Sequence, residues 1–282
     1  MLRFMGNGFF RPRRNIPGTD VAGVVAELGE GVAEFAIGDR VFGETITGHQ
    51  WKNGGSFAEF VAVDTATLRP IPDSVSFEVA ASVPTSGRIA YRTMTEEGKV
   101  QPGNDVLING AGGAVGTVAL QVAKARGARV VAVDRVEKHS MLLDLGADQV
   151  IDYLAEDFTA SGDMYDLLYD IPGNRSFDDL KRIVKPGGRY VLVGHDDFGK
   201  KGGRLVGSAV PKYLRMAARS PFGEPADIEV TKSDDPLGEL AQLLADGALT
   251  PPIGGVFSLE SVVDAMEALA SGSVVGKIVL TP

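Results

Sequence analysis

The chain of 282 residues predicts an α/β protein: a doubly wound parallel sheet set within a mostly β unit. Three observations carry that reading. From about Ala90 to Leu244, apolar β-branched runs alternate with helical periods, the pattern of a parallel sheet covered on both faces. Before Gly87 the texture changes to short strand-like runs rich in Gly, Val and Phe. Between one strand-like run and one helical run sits "NGAGGAVG" (109–116), a turn in which every second residue, on average, lacks a side chain.

Taken in order, the first unit spans residues 1–88. It holds "VAGVVAEL" and "FAEFVAV", separated by the turn signals "PGTD", "AIGDR" and "NGG", and its first helical period is "FEVAASVP". The second unit, 89–246, offers strands at "DVLING" (105–110), "RVVAVD" (129–134), "QVIDY" (149–153), "DLLYDI" (166–171) and "RYVLVG" (189–194). In "VGTVALQVAKARG", Val118, Val122 and Ala125 recur on one helical face, and Gly127 ends the helix. "VEKHSMLLDLGA" is a second helical stretch closed by Gly146. The third segment, 247–282, is one helix ("LESVVDAMEALASG") and one strand ("GKIVL"), too little to fold alone, so it must pack back on another unit. Residues 195–235 show no stable period beyond a helical stretch at "VPKYLRMAARS".

Composition narrows the function. A hydrophobic fraction of 44% with 23% charged residues is that of a globular protein. A net charge of −9 argues against nucleic-acid binding, which needs clustered cations. No run approaches the roughly 20 apolar residues that span a bilayer. The absence of cysteine excludes disulfides, thiolate catalysis and Cys-ligated zinc. A cytoplasmic enzyme acting on a small molecule is the expectation.

The glycine turn has a chemical reading. Gly110, Gly113 and Gly116 recur every third residue where a strand passes into a helix. The first glycine permits the sharp turn, the middle one lets backbone approach a pyrophosphate, and the last allows close helix–sheet packing. N–H groups at the helix start, at the positive end of its dipole, then receive the phosphates. The next strand ends at Asp134, placed to accept from the adenosine ribose hydroxyls and so to favour NAD. Arg135 and Lys138 follow, and either could pair with the 2′-phosphate of NADP instead. Cofactor choice between NADH and NADPH stays open on sequence.

Together, "IPGTDVAGVVAELGEGVAEFAIGDRVFG" (16–43), "GSFAEF" (55–60), the glycine turn, "KPGGRYVLVG" (185–194) and "GKIVL" resemble the medium-chain dehydrogenase/reductase superfamily. Within it, they are most similar to the zinc-independent quinone oxidoreductase (ζ-crystallin-like) branch. The resemblance implies a Rossmann domain inserted in a GroES-like catalytic domain, with the C-terminal segment returning to the latter. It also implies that the opening strands of the GroES-like domain are absent, because the likeness begins some 40 residues into the family pattern. Zinc-dependent relatives carry Gly-His-Glu where this chain has Gly18-Thr19-Asp20, and their other ligands need cysteine. No metal site is expected.

The resemblance further implies pyrophosphate contacts from the backbone of Gly112, Gly113, Ala114 and Val115. It implies an adenosine contact at Tyr153, a nicotinamide-ribose contact at Asn174, and a wall beside the nicotinamide at Gly194 and His195. Ile89 in "RIAY" replaces a family Thr. No catalytic residue is identified; Tyr91 is the nearest candidate for a proton donor, with core packing its favoured role. The implied activity is NAD(P)H-dependent hydride transfer to a quinone or an α,β-unsaturated carbonyl compound. The alternatives are a dinucleotide-binding protein with little catalysis and an alcohol or enoyl-thioester reductase. Family members are commonly homodimers.

Overall fold

The computed structural model describes residues 16–46, 54–194, 235–272 and 274–282. They divide into two compact units, one drawn from Met1–Arg88 and Glu229–Pro282, the other from Ile89–Ile228.

The first unit opens with β1 (Asp20–Val24), antiparallel to β2 (Arg40–Glu44), which pairs in turn with β3 (Leu68–Pro70). The register sets Asp20 opposite Glu44 and Ala22 opposite Phe42, and Phe42 is fully buried. α1 (Phe77–Ala81) starts where the Ser76 hydroxyl accepts the Val79 N–H, satisfying one of the orphan donors of a helix start. α2 (Pro84–Arg92) begins on a proline, whose missing N–H costs nothing in the first turn. It carries the chain across the boundary after Arg88.

The second unit continues through one π-turn (Thr93–Glu97) to β4 (Asp105–Asn109), α3 (Ala114–Ala125) and β5 (Arg129–Asp134). Next come α4 (His139–Asp144), β6 (Gln149–Asp152), β7 (Tyr165–Asp170), α5 (Phe177–Arg182) and β8 (Val184–Leu192). The five strands are all parallel, in the order β6-β5-β4-β7-β8. The chain order therefore reverses between β4 and β7, which makes the carboxyl end of that pair the place where such sheets take ligands. Leu107, Val131, Val133, Leu168, Tyr190 and Leu192 form part of one buried cluster in this sheet. Each such aliphatic side chain contributes roughly 1.5–3 kcal/mol by leaving water.

The chain then returns to the first unit with α6 (Pro236–Ala245), β9 (Ile253–Ser258), α7 (Val262–Ala270) and β10 (Lys277–Thr281), β9 and β10 being parallel.

Four sequence expectations change. The run "FAEFVAV" forms no strand, and its Phe60 is 78% exposed; alternation makes a strand only where a ladder partner exists, and none lies among the described residues. α6 belongs with the first unit rather than with residues 89–246: Arg69 Nε lies 2.6 Å from Asp235 Oδ2 at its cap, and Leu240 packs on Gly87. Val118 and Val122 are buried but Ala125 is exposed, so the buried face of α3 ends at Ala123. β8 begins at Val184, five residues before Arg189, because a register shift between Tyr165 and Leu167 admits the Pro186–Gly187 segment as a bulge. The stretch 210–220 and His195 lie outside the described residues.

Candidate dinucleotide-binding site

The glycine turn joins β4 to α3, as the spacing predicts. Gly110 has φ +84°, a left-handed conformation that a β-carbon would strain. Its N–H and that of Ala111 both donate to Val133 O, at 2.9 and 3.2 Å, tying the turn to β5. The remaining glycines sort by what surrounds them. A β-carbon on Gly116 would collide with Gly110 O and stand 2.6 Å from the Ala111 Cα and carbonyl oxygen, so this glycine serves helix–sheet contact. A β-carbon on Gly113 would meet only Gly110 O, at an ordinary 3.7 Å. Gly113 is the N-cap of α3, in an extended conformation (φ −90°, ψ 174°) open to any residue, and makes no side-chain cap. Nothing in the protein itself therefore calls for glycine at 113. Among the described residues nothing fills the space over it, and the first helical N–H groups, those of Ala114, Val115 and Gly116, have no acceptor there. An anion with several acceptor oxygens fits there.

Asp134 ends β5 beside this turn and is 6% exposed. Its Oδ2 accepts the Gly112 N–H at 2.7 Å and its Oδ1 accepts the Arg135 N–H at 2.9 Å. Lys138 Nζ lies 3.7 Å from Oδ1, and its stem covers Gly112. Arg135 turns away instead, its Nε 3.6 Å from Glu137 Oε2. The acid and the lysine thus form one unit beside the glycine turn. We expect Asp134→Ala to raise the preference for NADPH over NADH about tenfold, because the carboxylate that repels a 2′-phosphate goes and Lys138 is released. The ratio of kcat/KM for the two cofactors reads this, and an unmoved ratio would show that Asp134 does not face the ribose.

The other predicted residues scatter more widely. Tyr153 follows β6, half-buried against the core cluster. Asn174 is exposed in the β7–α5 loop, and its Oδ1 accepts from Asn109 Nδ2 at 3.4 Å. Gly194 stands where a β-carbon would be 2.8 Å from Ile171 O, so it lets that same loop close down. Tyr91 is a correction. Its ring lies under the Arg126 guanidinium, 5.8 Å from the ring centroid, at the C-terminal cap of α3. A helix of that length separates it from the glycine turn by about 18 Å, so it packs the amino end of the sheet and is no proton donor.

Sequence reasoning missed two polar groups. Asp170, fully buried at the end of β7, accepts from Asn109 Nδ2 (2.9 Å), the Gly173 N–H (3.0 Å) and the Tyr190 hydroxyl (2.8 Å). The signal was present: an acid closing the apolar run "DLLYDI" must find donors. The second group is Glu44, with 0% exposure in the first unit. Arg88 Nη2 sits 2.8 Å from its Oε2, yet neither carboxylate oxygen accepts a well-directed hydrogen bond. Across the strand pair, Asp20 accepts from Lys277 Nζ at 2.6 Å and from the Thr85 hydroxyl, and Thr19 Oγ1 lies 3.3 Å from Thr85 Oγ1. Burial lifts the Glu44 pKa to about 7, against the lowering pull of Arg88 and with a further push from Asp20. Among the described residues, no group of three or more His, Cys, Asp or Glu side chains could hold a metal ion.

Two family profiles match the chain, an alcohol dehydrogenase GroES-like domain over residues 3–73 and a zinc-binding dehydrogenase over residues 145–280. An acryloyl-coenzyme A reductase of Metallosphaera sedula is 30% identical over 295 residues, spanning 96% of this chain and 86% of its own. The chain belongs to the medium-chain dehydrogenase/reductase superfamily. A 2-methylene-furan-3-one reductase of Solanum lycopersicum is 32% identical, over 96% of this chain. The chain spans 64% of that relative's length. Among solved structures, the quinone oxidoreductase of Coxiella burnetii superposes with a TM-score of 0.78 at 28% identity, covering 96% of this chain and 81% of its own. The parallel sheet and the GroES-like strands are the superfamily's two parts. No helix among the described residues is long and apolar enough to cross a membrane.

Proposed function

We propose that this medium-chain reductase uses NAD(P)H to transfer a hydride to a conjugated acceptor: the double bond of an enone or enoyl thioester, or a quinone that becomes the hydroquinone. The observation that carries the cofactor half is the space over Gly113 that no described residue fills, beside three helix N–H groups with no acceptor among those residues. The names of the relatives support the substrate half. A methylene-furanone and a quinone both place an alkene beside a carbonyl, and the acryloyl thioester of the M. sedula enzyme does the same, which brings enoyl thioesters into the class.

When bound, the nicotinamide supplies a hydride. The chain's residues would hold and orient it: the backbone of Gly112 to Val115 at the diphosphate, Asp134 with Lys138 at the adenosine ribose, Asn174 at the second ribose, Tyr153 at the adenosine, and Gly194 beside the ring. Conjugated acceptors suit this chain because they spread the incoming charge themselves. A catalytic zinc does not fit its residues: the chain contains no cysteine, and Thr19 takes the place of the zinc-dependent relatives' histidine, within hydrogen-bond reach of Asp20 and Thr85. No step is assigned to a metal. A cytoplasmic homodimer is the accompanying expectation.

The test mixes the protein with NADPH or NADH and a panel of an enone, a quinone, an acryloyl thioester and an unconjugated aldehyde. Loss of nicotinamide absorbance is expected with the conjugated acceptors and not with the aldehyde. Cofactor binding without turnover on any member would reduce the protein to a dinucleotide-binding role, and turnover confined to the aldehyde would make it an alcohol dehydrogenase.

A further inference from the structure

The sheet brings four polar groups together at the carboxyl ends of β4, β7 and β8, and their donor and acceptor chemistry permits one arrangement. Asp170 is fully buried, and its carboxylate is an acceptor only. It therefore requires Asn109, itself 3% exposed, to turn its amide nitrogen inward, where Nδ2 lies 2.9 Å from Asp170 Oδ1. The second hydrogen of that nitrogen faces Asn174 Oδ1 across a longer 3.4 Å contact. With its oxygen so engaged, Asn174 has its NH2 group left for the outside.

The loop that carries Asn174 is fixed independently. Asp170 Oδ1 accepts the Gly173 N–H at 3.0 Å, and Oδ2 accepts the Tyr190 hydroxyl at 2.8 Å. On one side, a β-carbon at Gly110 would press on Pro172 Cδ at 3.0 Å; on the other, one at Gly194 would press on Ile171 O at 2.8 Å. Two absent side chains thus let the Ile171–Asn174 loop settle between the glycine turn and the end of β8.

We propose that Asp170 is a positioning residue for the nicotinamide-side ribose, setting through Asn109 the amide orientation in which Asn174 presents its NH2 to a ribose hydroxyl oxygen. This rests on the dinucleotide reading of the site and adds to it the polarity of the chain Asp170–Asn109–Asn174. A neutral amide at 170 keeps the volume but can donate as well as accept, so Asn109 and then Asn174 lose their fixed orientation.

Two ligands separate this proposal from the reading beneath it. ADP carries the adenosine and diphosphate but lacks the second ribose, whereas ADP-ribose carries it. Calorimetry is expected to show Asp170→Asn binding ADP as the wild type does and ADP-ribose about tenfold more weakly. Asn174→Ala, at an exposed position that the fold does not need, should show the same split. Adding Asp170→Asn to Asn174→Ala should cost nothing further in ADP-ribose affinity. Wild-type protein that binds neither ligand would overturn the dinucleotide reading itself. Wild-type binding of both, with Asn174→Ala keeping full ADP-ribose affinity or with Asp170→Asn losing ADP and ADP-ribose equally, would overturn the positioning role alone. If Asp170→Asn fails to fold, Asn109→Ala, which breaks the same relay at its middle member, decides through the same split.

Discussion

Gly113→Val is expected to weaken binding of NADH and NADPH at least 100-fold while leaving the protein folded. The position has extended dihedrals that valine adopts freely, and its β-carbon would meet nothing closer than 3.7 Å. The helix start loses little, since Gly113 offers no side-chain cap now. What valine takes up is the space above the turn, with its branch standing where a diphosphate would approach the N–H groups of Ala114 and Val115. A 100-fold loss corresponds to about 2.7 kcal/mol, comparable to losing two charge-assisted hydrogen bonds. Gly116→Val supplies the contrast: its β-carbon would overlap the backbone of Gly110 and Ala111, so this variant should fail to fold. Circular dichroism and cofactor titration separate the two outcomes. If Gly113→Val folds and binds cofactor with unchanged affinity, the diphosphate does not lie over this turn.

The second large effect concerns Glu44. A carboxyl raised from 4.5 to about 7 binds a proton in the folded state that it gives up in the unfolded one. Its stabilising contribution is complete below pH 4.5 and is lost as pH climbs from there through 7, by about 3 kcal/mol in all. The wild-type melting temperature should therefore carry a falling component between pH 5 and pH 7.5. Glu44→Gln should remove that component and be at least as stable as the wild type at pH 8. The amide oxygen lies within reach of Arg88, and the neutral group carries a much smaller desolvation penalty than a carboxylate. Matching pH slopes for the two proteins would show that Glu44 is ionised throughout, held by Arg88. Such a balance is plain only in three dimensions. In the sequence Glu44 closes the apolar run "RVFGE", and nothing there shows that β1 sets Asp20 opposite it or that Lys277 comes from the far end of the chain.

That contrast marks what is legible in one dimension. The sheet was, because the interiors of "RVVAVD" and "DVLING" are buried on both faces and therefore apolar, and because the helices that follow β4 and β5 each end on a glycine. Gly127 and Gly146 both have positive φ. The glycine turn was legible for a related reason, since chemistry and backbone geometry there demand the same residue. "FAEFVAV" misled because a strand pattern is a statement about a partner as much as about itself. Asp170 was missed because a buried acid and a surface acid are the same letter. Tyr91 was offered as a donor from its residue type, and only its place under Arg126 shows which end of the sheet it serves.

The two-part composition of the first unit also governs how the protein is made. On the ribosome, every residue of the Ile89–Ile228 unit is joined to the chain before the Glu229–Pro282 segment of the other unit exists as peptide. The Rossmann half can thus complete its sheet during translation. β1 and β2 meanwhile wait, with Asp20 lacking the lysine that is 257 positions downstream. Contacts of such separation form late, so synthesis of the Glu229–Pro282 segment, rather than emergence of the early strands, sets when the GroES-like half closes.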